Sequence, residues 1–292
     1  MNGENVMNSS PADQKSVLIT GCSSGIGEYV AHGLAARGYR TFATARRLED
    51  VNKLNEQGLE SLQLDLNDST SIKEAFNEVL NRTQGKLYAL FNNGAYGQPG
   101  AVEDLTREVL QMQFETNVFG TLELTNRVIP VMREQGYGRI IQNSSVLGLV
   151  VLPYRGAYSA AKFALEALTD TLRLELAGSN VYVSLIEPGP IESRFRANAF
   201  AAYKRNIDAE HSYHRNTYQA MERRLTKKGP AAPFTLTPDA VLKKVIHALE
   251  SPHPKIRYYV TFPTYLFATL KRLLSHKSID RVLIRVSRGE NR

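Results

Sequence analysis

Apolar positions recur along the chain in two alternating periods. Short runs rich in β-branched, aromatic and leucine residues read as strands at 16–20, 40–44, 59–64, 87–91, 138–143, 181–186 and 255–261. Between them the apolar spacing lengthens to three and four. Val30, Ala31, Leu34 and Ala35 share one helical face ahead of Gly38, a C-terminal stop, and the stretches 106–133 and 157–177 read as long helices. Strand and helix in alternation predict an α/β fold, a Rossmann-type doubly wound parallel sheet of about seven strands. A chain of 292 residues is long enough to bury a large core, and one domain accounts for the pattern. Residues 1–14 are polar and aperiodic and read as a loose tail, 15–262 as the α/β domain, and 263–292 as an extension. No internal repeat or low-complexity tract interrupts this order.

The first predicted strand runs into Gly21-Cys22-Ser23-Ser24-Gly25-Ile26-Gly27 and then into a helix. Glycines let backbone approach a pyrophosphate, and a helix N-terminus offers unpaired N–H groups and a positive dipole end. A fold of this kind that prefers NAD places an acid at the end of its second strand, about 20 residues past the glycines. Here that strand continues into Ala45-Arg46-Arg47, with no carboxylate. A guanidinium at Arg46 suits a ribose 2′-phosphate through paired planar hydrogen bonds, so NADP(H) is the expected cofactor.

Tyr158 and Lys162 are four apart, thirteen and seventeen positions after Ser145, and no other tyrosine in the chain has a lysine four residues on. Positions i and i+4 share a helix face. Free tyrosine titrates near pH ~10 and is a poor acid or base at neutrality. A cation one turn away biases the phenol toward its anion. An amphipathic helix with an aromatic edge and a solvated lysine would show the same spacing, so the pair gains its meaning from the nucleotide turn upstream.

Taken together, these motifs resemble the short-chain dehydrogenases/reductases over roughly residues 15–262. Thr20-Gly21-x-x-x-Gly25-Ile26-Gly27 is similar to the family's nucleotide turn, and Asp65 in Leu64-Asp65-Leu66 to its adenine-binding acid. Asn117, Ser145, Tyr158 and Lys162 match its catalytic set, and Pro188-Gly189-Pro190-Ile191-Glu192-Ser193 its nicotinamide segment. The resemblance implies that Gly21, Ser23, Ser24, Gly25, Ile26, Gly27, Arg46, Asp65, Leu66, Asn92, Gly94, Tyr158, Lys162, Pro188, Gly189, Ile191 and Ser193 contact the cofactor. It implies reversible hydride transfer between the nicotinamide and a carbonyl or alcohol. Ser145 would bond the substrate oxygen, Tyr158 pass the proton, Lys162 lower the tyrosine pKa and bond the ribose, and Asn117 hold a water leading to Lys162. The thirteen-residue spacing selects Ser145 over Ser144, which strand alternation points the other way. Within the family, Cys22 and the stretch 186–191 resemble bacterial NADP-dependent aldehyde reductases and the hydroxysteroid and retinol dehydrogenase branch. Reduction of an apolar aldehyde or ketone is the expected activity, with oxidation of a steroid- or retinoid-like alcohol as the alternative. A regulator that binds NADP(H) without chemistry is a distant third. The resemblance also implies a homodimer or homotetramer.

Two positions depart from the family pattern. Asn92-Asn93-Gly94-Ala95 exchanges the last two residues of the usual Asn-Asn-Ala-Gly, and an alanine forced to positive φ there would be strained. Ser193 stands where a threonine is usual, and the hydroxyl is retained.

The single cysteine excludes an internal disulfide and suits a reducing cytoplasm. The six histidines lack ligand spacing, so no metal is expected; His211 and His214, the nearest pair, suit a solvated helix face. No secretory pattern or membrane-spanning run is expected. The segment 194–233 mixes Phe195, Phe200, Tyr203, Tyr213, Tyr218 and Met221 with charges and reads as a substrate lid whose aromatics face the cleft or simply pack. From Lys255 onward there are nine Lys or Arg against two acids, an excess equal to the formal +7 of the whole chain. Apolar residues from Phe262 to Ile284 alternate with these cations. The extension therefore packs on the domain, covers the cleft, or lies peripherally on an anionic membrane at the inner face. Nucleic acid is not an expected partner, because no recognised binding module accompanies the charge.

Overall fold

The computed structural model describes residues 14–290 apart from position 231. The expected tail therefore lies, except for Gln14, outside the described residues. The described strands are β1 (Ser16–Ile19), β2 (Arg40–Ala45), β3 (Glu60–Gln63), β4 (Ala89–Asn92), β5 (Gly138–Asn143), β6 (Val181–Glu187) and β7 (Arg257–Tyr259). They form one seven-stranded sheet in the order β3-β2-β1-β4-β5-β6-β7, with every pairing parallel. The doubly wound sheet read from the sequence is thus the observed one.

Alternation along the strands divides the core. Val17, Ile19, Ala89 and Phe91 pack with Val30, Ala31 and Leu34 of α1 (Gly25–Ala36) and Val241 and Val245 of α9 (Asp239–Glu250) on one face. Leu18 and Leu90 pack on the other with Ile72 and Phe76 of α3 (Ser69–Arg82) and Leu124 and Val128 of α5 (Thr121–Glu134). Side chains at successive strand positions point to opposite faces, which is why neighbouring apolar residues serve different layers. α2 (Leu48–Glu56) completes the first face.

The single helix expected over 106–133 is divided. α4 (Arg107–Phe114) begins at Thr106, whose side chain accepts the Val109 N–H, and then widens into a π-helical turn over Glu115–Gly120 before α5. Gly120 there lies against the backbone of Leu66, a closeness that any Cβ would prevent. Widened turns of this kind recur at functional sites, and this one carries Asn117.

Strand order reverses beside β1, between β1 and β4. In open α/β sheets such a switch point, at the carboxyl ends of the strands, forms the ligand crevice. The chain leaves that end through Gly21–Gly27 after β1, Arg46 after β2, Asp65 after β3, Asn93 after β4, Ser145 after β5 and Pro188 after β6.

Residues 191–236 form an excursion over this end. A bridge pairs Ile191 with Leu236, and between them run α7 (Phe195–Asn206) and α8 (Arg215–Thr226). Most of the lid aromatics pack together rather than face the cleft: Tyr203, Tyr218 and Met221 are buried among themselves, and Tyr213 is 93% exposed. Asn206 donates to Gln98 at 2.7 Å, Ser212 to Asp104 at 2.6 Å, and the Ala101 N–H to the Tyr218 hydroxyl at 2.8 Å, tying the lid to the segment after β4. His211 and His214 precede α8 rather than lying along it. His211 pairs with Asp208 within the lid, and His214 with Glu103 and the Tyr154 hydroxyl on the segments it covers, so hydrogen bonding occupies both.

Candidate active site

The glycine turn is built by three strand ends. Gly21 and Gly25 have φ of +70° and +65°, conformations that a side chain disfavours. A Cβ on Gly21 would come within 2.6 Å of the Gly94 Cα, and one on Gly25 within 2.8 Å of the Ser193 Cβ. The turn is thus pressed between the segments after β4 and β6. Thr20 Oγ1 accepts the N–H groups of Asn93 (2.9 Å) and Gly94 (2.8 Å). Asn93 Nδ2 returns to the carbonyls of Thr20 (3.0 Å) and Gly21 (3.1 Å), and Asn143 Nδ2 donates to Asn93 Oδ1 at 2.9 Å. Ser24 begins α1 in an extended conformation without bonding the helix through its side chain. The Ser23 and Ser24 hydroxyls have no intramolecular partner among the described residues. Bare glycine backbone, an uncapped helix start and free hydroxyls fit a pyrophosphate.

The exchanged Gly94-Ala95 pair carries no strain, since neither residue has positive φ. Ala95 therefore fits an ordinary backbone. The Asn92 amide donates to Thr125 Oγ1 at 2.8 Å, beneath the sheet. Only its backbone remains for a cofactor. The next residue, Asn93, braces the glycine turn. Strand alternation sends successive asparagines to opposite faces, and that signal was available in the Asn92-Asn93 doublet.

At the adenosine end, Arg46 and Arg47 have different circumstances. Arg47 pairs with Glu49 and Asp50, each at 2.9 Å. Arg46 is exposed, and its guanidinium has no hydrogen bond or ion pair among the described residues. Asp65 accepts the Asn67 N–H at 3.0 Å and is half-buried, while Leu66 is buried and supports Gly94 from below. At the other end Pro188 accepts the Val146 N–H at 2.8 Å, Gly189 lies against Thr261, and Ser193 Oγ accepts the Phe195 N–H at 3.3 Å. Ile191 is half-buried in the bridge that closes the lid, and Ile26 packs partly against the core.

Ser145 ends the extended chain after β5 and starts a 3₁₀ turn, Val146–Gly148, accepting the Leu147 N–H at 3.1 Å. Its hydroxyl faces the Tyr158 phenol on α6 (Gly156–Glu175) closely enough to lower that group's pKa. Ser144 turns away, buried, with no partner for its Oγ among the described residues. Lys162, one turn beyond Tyr158, is buried; its Nζ donates to the Asn143 carbonyl at 2.7 Å and lies 5.7 Å from the Tyr158 ring centre. Burial pushes the Tyr158 phenol up to about 12, opposed by the Ser145 hydrogen bond. In the protein alone, desolvation therefore outweighs the lowering expected from Lys162. Burial also depresses Lys162 to about 8, with Glu166 opposing. Asn117 is buried, and its amide is taken up by the Tyr96 backbone: Oδ1 accepts the N–H at 3.2 Å and Nδ2 donates to the carbonyl at 2.9 Å. These bonds fix the Asn117 side chain at the widened turn.

A buried charge cluster behind Lys162 was not apparent in the sequence. Arg257 on β7 pairs with Glu166 on α6, with Glu187 at the end of β6, and with Asp170 at 2.5 Å. Glu187 is fully buried, and desolvation together with the neighbouring Glu166 pushes its carboxyl well above the usual range. Glu166 follows Lys162 by one helical turn, and Glu187 precedes Pro188. The cluster thus joins the two segments that carry the lysine and the nicotinamide-type loop.

Phe195, at the start of the lid, reaches the site. Its ring meets Tyr158 edge-on, with centroids 5.3 Å apart. Leu147, Val150 and Leu152 form an apolar wall beside Tyr158 with Phe267 of α10 (Phe262–Leu273) and Ile279 and Leu283 of α11 (His276–Glu290). The extension accordingly packs on the domain at the cleft. Cys22 is also buried, and burial pushes its thiol up to about 12. Alkylating reagent is expected to leave the native protein unlabelled and to modify Cys22 only on unfolding, as mass spectrometry would show; rapid native labelling would contradict this burial.

Among the described residues no His, Cys, Asp and Glu cluster forms a metal site, and no helix is long and apolar enough to cross a membrane. The sequence matches the short chain dehydrogenase family over residues 15–204. It is 43% identical over 270 residues to the uncharacterized oxidoreductase YbbO of Escherichia coli strain K12, covering 92% of this chain and 94% of that protein. It is 34% identical to human 17-beta-hydroxysteroid dehydrogenase type 1, covering 84% and 77%. A short-chain dehydrogenase structure from Streptomyces avermitilis superposes with a TM-score of 0.74 at 29% identity, covering 95% of this chain and 99% of that one. With its parallel sheet, glycine turn and Ser145–Tyr158–Lys162 arrangement, the chain belongs to the short-chain dehydrogenase family of oxidoreductases.

Proposed function

We propose that this protein is an NADP(H)-dependent reductase of apolar aldehydes or ketones. The observation that carries the reading is the convergence of Ser145 after β5 with Tyr158 and, one turn behind it, Lys162 bonded to the Asn143 carbonyl. The bound cofactor would exchange a hydride with the carbonyl carbon. Ser145 donates a hydrogen bond to the carbonyl oxygen as negative charge develops on it. Tyr158 gives the phenolic proton to that oxygen in reduction and takes it back in oxidation. Its raised pKa keeps the proton in place at neutrality, the state that reduction requires. Lys162 holds an ammonium beside the phenol and bonds the ribose. With the Asn117 amide occupied, a proton-carrying water would be held by backbone at the π-helical turn.

Preference for the 2′-phosphate rests on Arg46, the unpaired guanidinium after β2, where no acid stands. The apolar wall beside Tyr158 excludes water and favours an apolar substrate. The same wall favours a second reading, oxidation of a rigid lipid-like alcohol, which the hydroxysteroid dehydrogenase relative supports.

The test is cofactor oxidation with NADPH and NADH across short and long aldehydes, ketones and steroids. Turnover confined to NADPH supports the reading, and turnover confined to NADH and alcohol oxidation would overturn it. Replacing Arg46 with alanine is expected to weaken NADPH by about 10–100-fold, the loss of a charge-assisted pair, while leaving NADH nearly unchanged. Equal losses for both cofactors would remove Arg46 from 2′-phosphate recognition.

A further inference from the structure

The C-terminal helices bury one face each, and their outer faces differ in chemistry. On α10 the inward residues Phe267 and Ala268 are buried in or beside the cleft wall. The outward residues Phe262, Tyr265, Leu266, Thr269, Arg272 and Leu273 follow helical spacing and are all exposed, Phe262 by 55% and Leu273 by 75%. The stripe extends beyond the helix: Phe234, 58% exposed at the end of the lid, rests its ring 5.0 Å from that of Phe262. Large apolar side chains presented together mark an interaction surface rather than ordinary scatter.

On α11 Ile279 and Leu283 face inward, and Lys277, Arg281 and Arg285 recur every fourth residue on the exposed side. None of the three has an ion pair among the described residues, and Asp280 is the acid that shares their exposed side. Acids pair with some cations elsewhere on this protein, as at Arg37, Arg40, Arg47, Arg82 and Arg127. The cationic row thus has no ion pair among the described residues, on the helix that follows the exposed apolar stripe in sequence.

We propose that the outer faces of α10 and α11, with Phe234, dock this protein peripherally on an anionic lipid bilayer. Apolar side chains enter the headgroup boundary while Lys and Arg meet anionic headgroups, the combination that holds an amphipathic helix in the plane of a membrane. A second copy of this chain would need acids opposite the row, and among the described side chains the patch itself offers Asp280. A soluble acidic protein would satisfy the cations but not the apolar stripe. Because α10 starts beside the Gly189 segment and its inner face lines the cleft, docking would bring the cleft mouth toward the lipid.

The test is flotation of the full chain, with NADPH present, on vesicles of phosphatidylcholine mixed with phosphatidylglycerol and on phosphatidylcholine alone. Flotation is expected on the mixed vesicles only, and to weaken with added salt. Two variants separate the contributions, Phe262→Ser with Leu273→Ser, and Lys277→Gln with Arg281→Gln and Arg285→Gln. Each is expected to lose binding by more than about tenfold, since each surface cation alone contributes roughly fivefold. Absence of flotation on mixed vesicles, or undiminished flotation of both variants, would overturn the proposal. So would a wild-type oligomer that the Phe262→Ser, Leu273→Ser variant breaks apart without any lipid binding, since a second copy would then cover the face. Turnover of a water-soluble aldehyde is read on the same samples. Loss of flotation with normal turnover concerns the surface alone, and failed turnover with normal flotation concerns the proposed chemistry alone.

Discussion

Tyr158→Phe is expected to keep NADPH bound and to lower turnover by about 10²–10⁴-fold, the range for removing a positioned general acid. The substitution keeps the ring that packs edge-on against Phe195 and removes only the hydroxyl facing Ser145. Fluorescence titration of NADPH and single-turnover reduction of an aldehyde separate binding from chemistry. Near-normal turnover would remove Tyr158 from proton transfer. The pH dependence has a definite sign. Reduction uses the protonated phenol, which burial holds up to about 12. Lys162, depressed to about 8, carries its charge below that pH and loses it above. Reduction is therefore expected to decline as pH rises through that region, whereas oxidation, which needs the phenolate, gains with pH.

The second large effect is structural. Arg257→Leu is expected to destabilise the protein by about 3–5 kcal/mol, because removing one partner of a buried charge cluster leaves the others uncompensated. Here the buried carboxylate left without its cation is Glu166, and Glu187 beside it loses its hydrogen-bond partner, both between α6 and the end of β6. Denaturant unfolding measures the loss, and an unchanged midpoint would show that the cluster contributes nothing. Adding Glu166→Gln is expected to restore part of the stability by removing one stranded charge. The linkage sign follows from the raised carboxyl of Glu187. The folded protein holds that proton at pH values above the ordinary glutamate range near ~4.3, where the unfolded chain has released it, so stability falls as pH rises from there. Glu187→Gln should flatten this slope.

The strands and most of the helices were legible because their patterns are local. β5 begins and ends where the apolar run does, and α6 begins one residue before the expected start. β7 is shorter than its run because Leu185, Ile186 and Glu187 of β6 pair only with Arg257, Tyr258 and Tyr259. The division of the expected 106–133 helix was not legible: no proline or glycine precedes the widened turn at Glu115 within the helix, and the cause is tertiary. Asn117 bonds Tyr96 across the site, and Gly120 meets the backbone of Leu66. The site itself was mostly legible. The glycine turn and the Tyr158–Lys162 pair are contiguous motifs whose chemistry depends on spacing within one turn or one helix.

Strand alternation, helical periodicity and glycine placement follow from steric rules acting over a few residues. In this chain they were enough to fix the layer order, the nucleotide-type turn and the shared face of Tyr158 and Lys162. The rest depended on groups distant in sequence competing for the same buried space. Asn93 rather than Asn92 braces the turn because only one face of β4 meets Thr20. Arg257 finds Glu166 and Glu187 only once β6, β7 and α6 have packed. The C-terminal extension shows amphipathic periodicity in sequence, but that period does not say what each face meets. The cleft wall took the inner face of α10 and α11, and the apolar and cationic outer faces remained exposed.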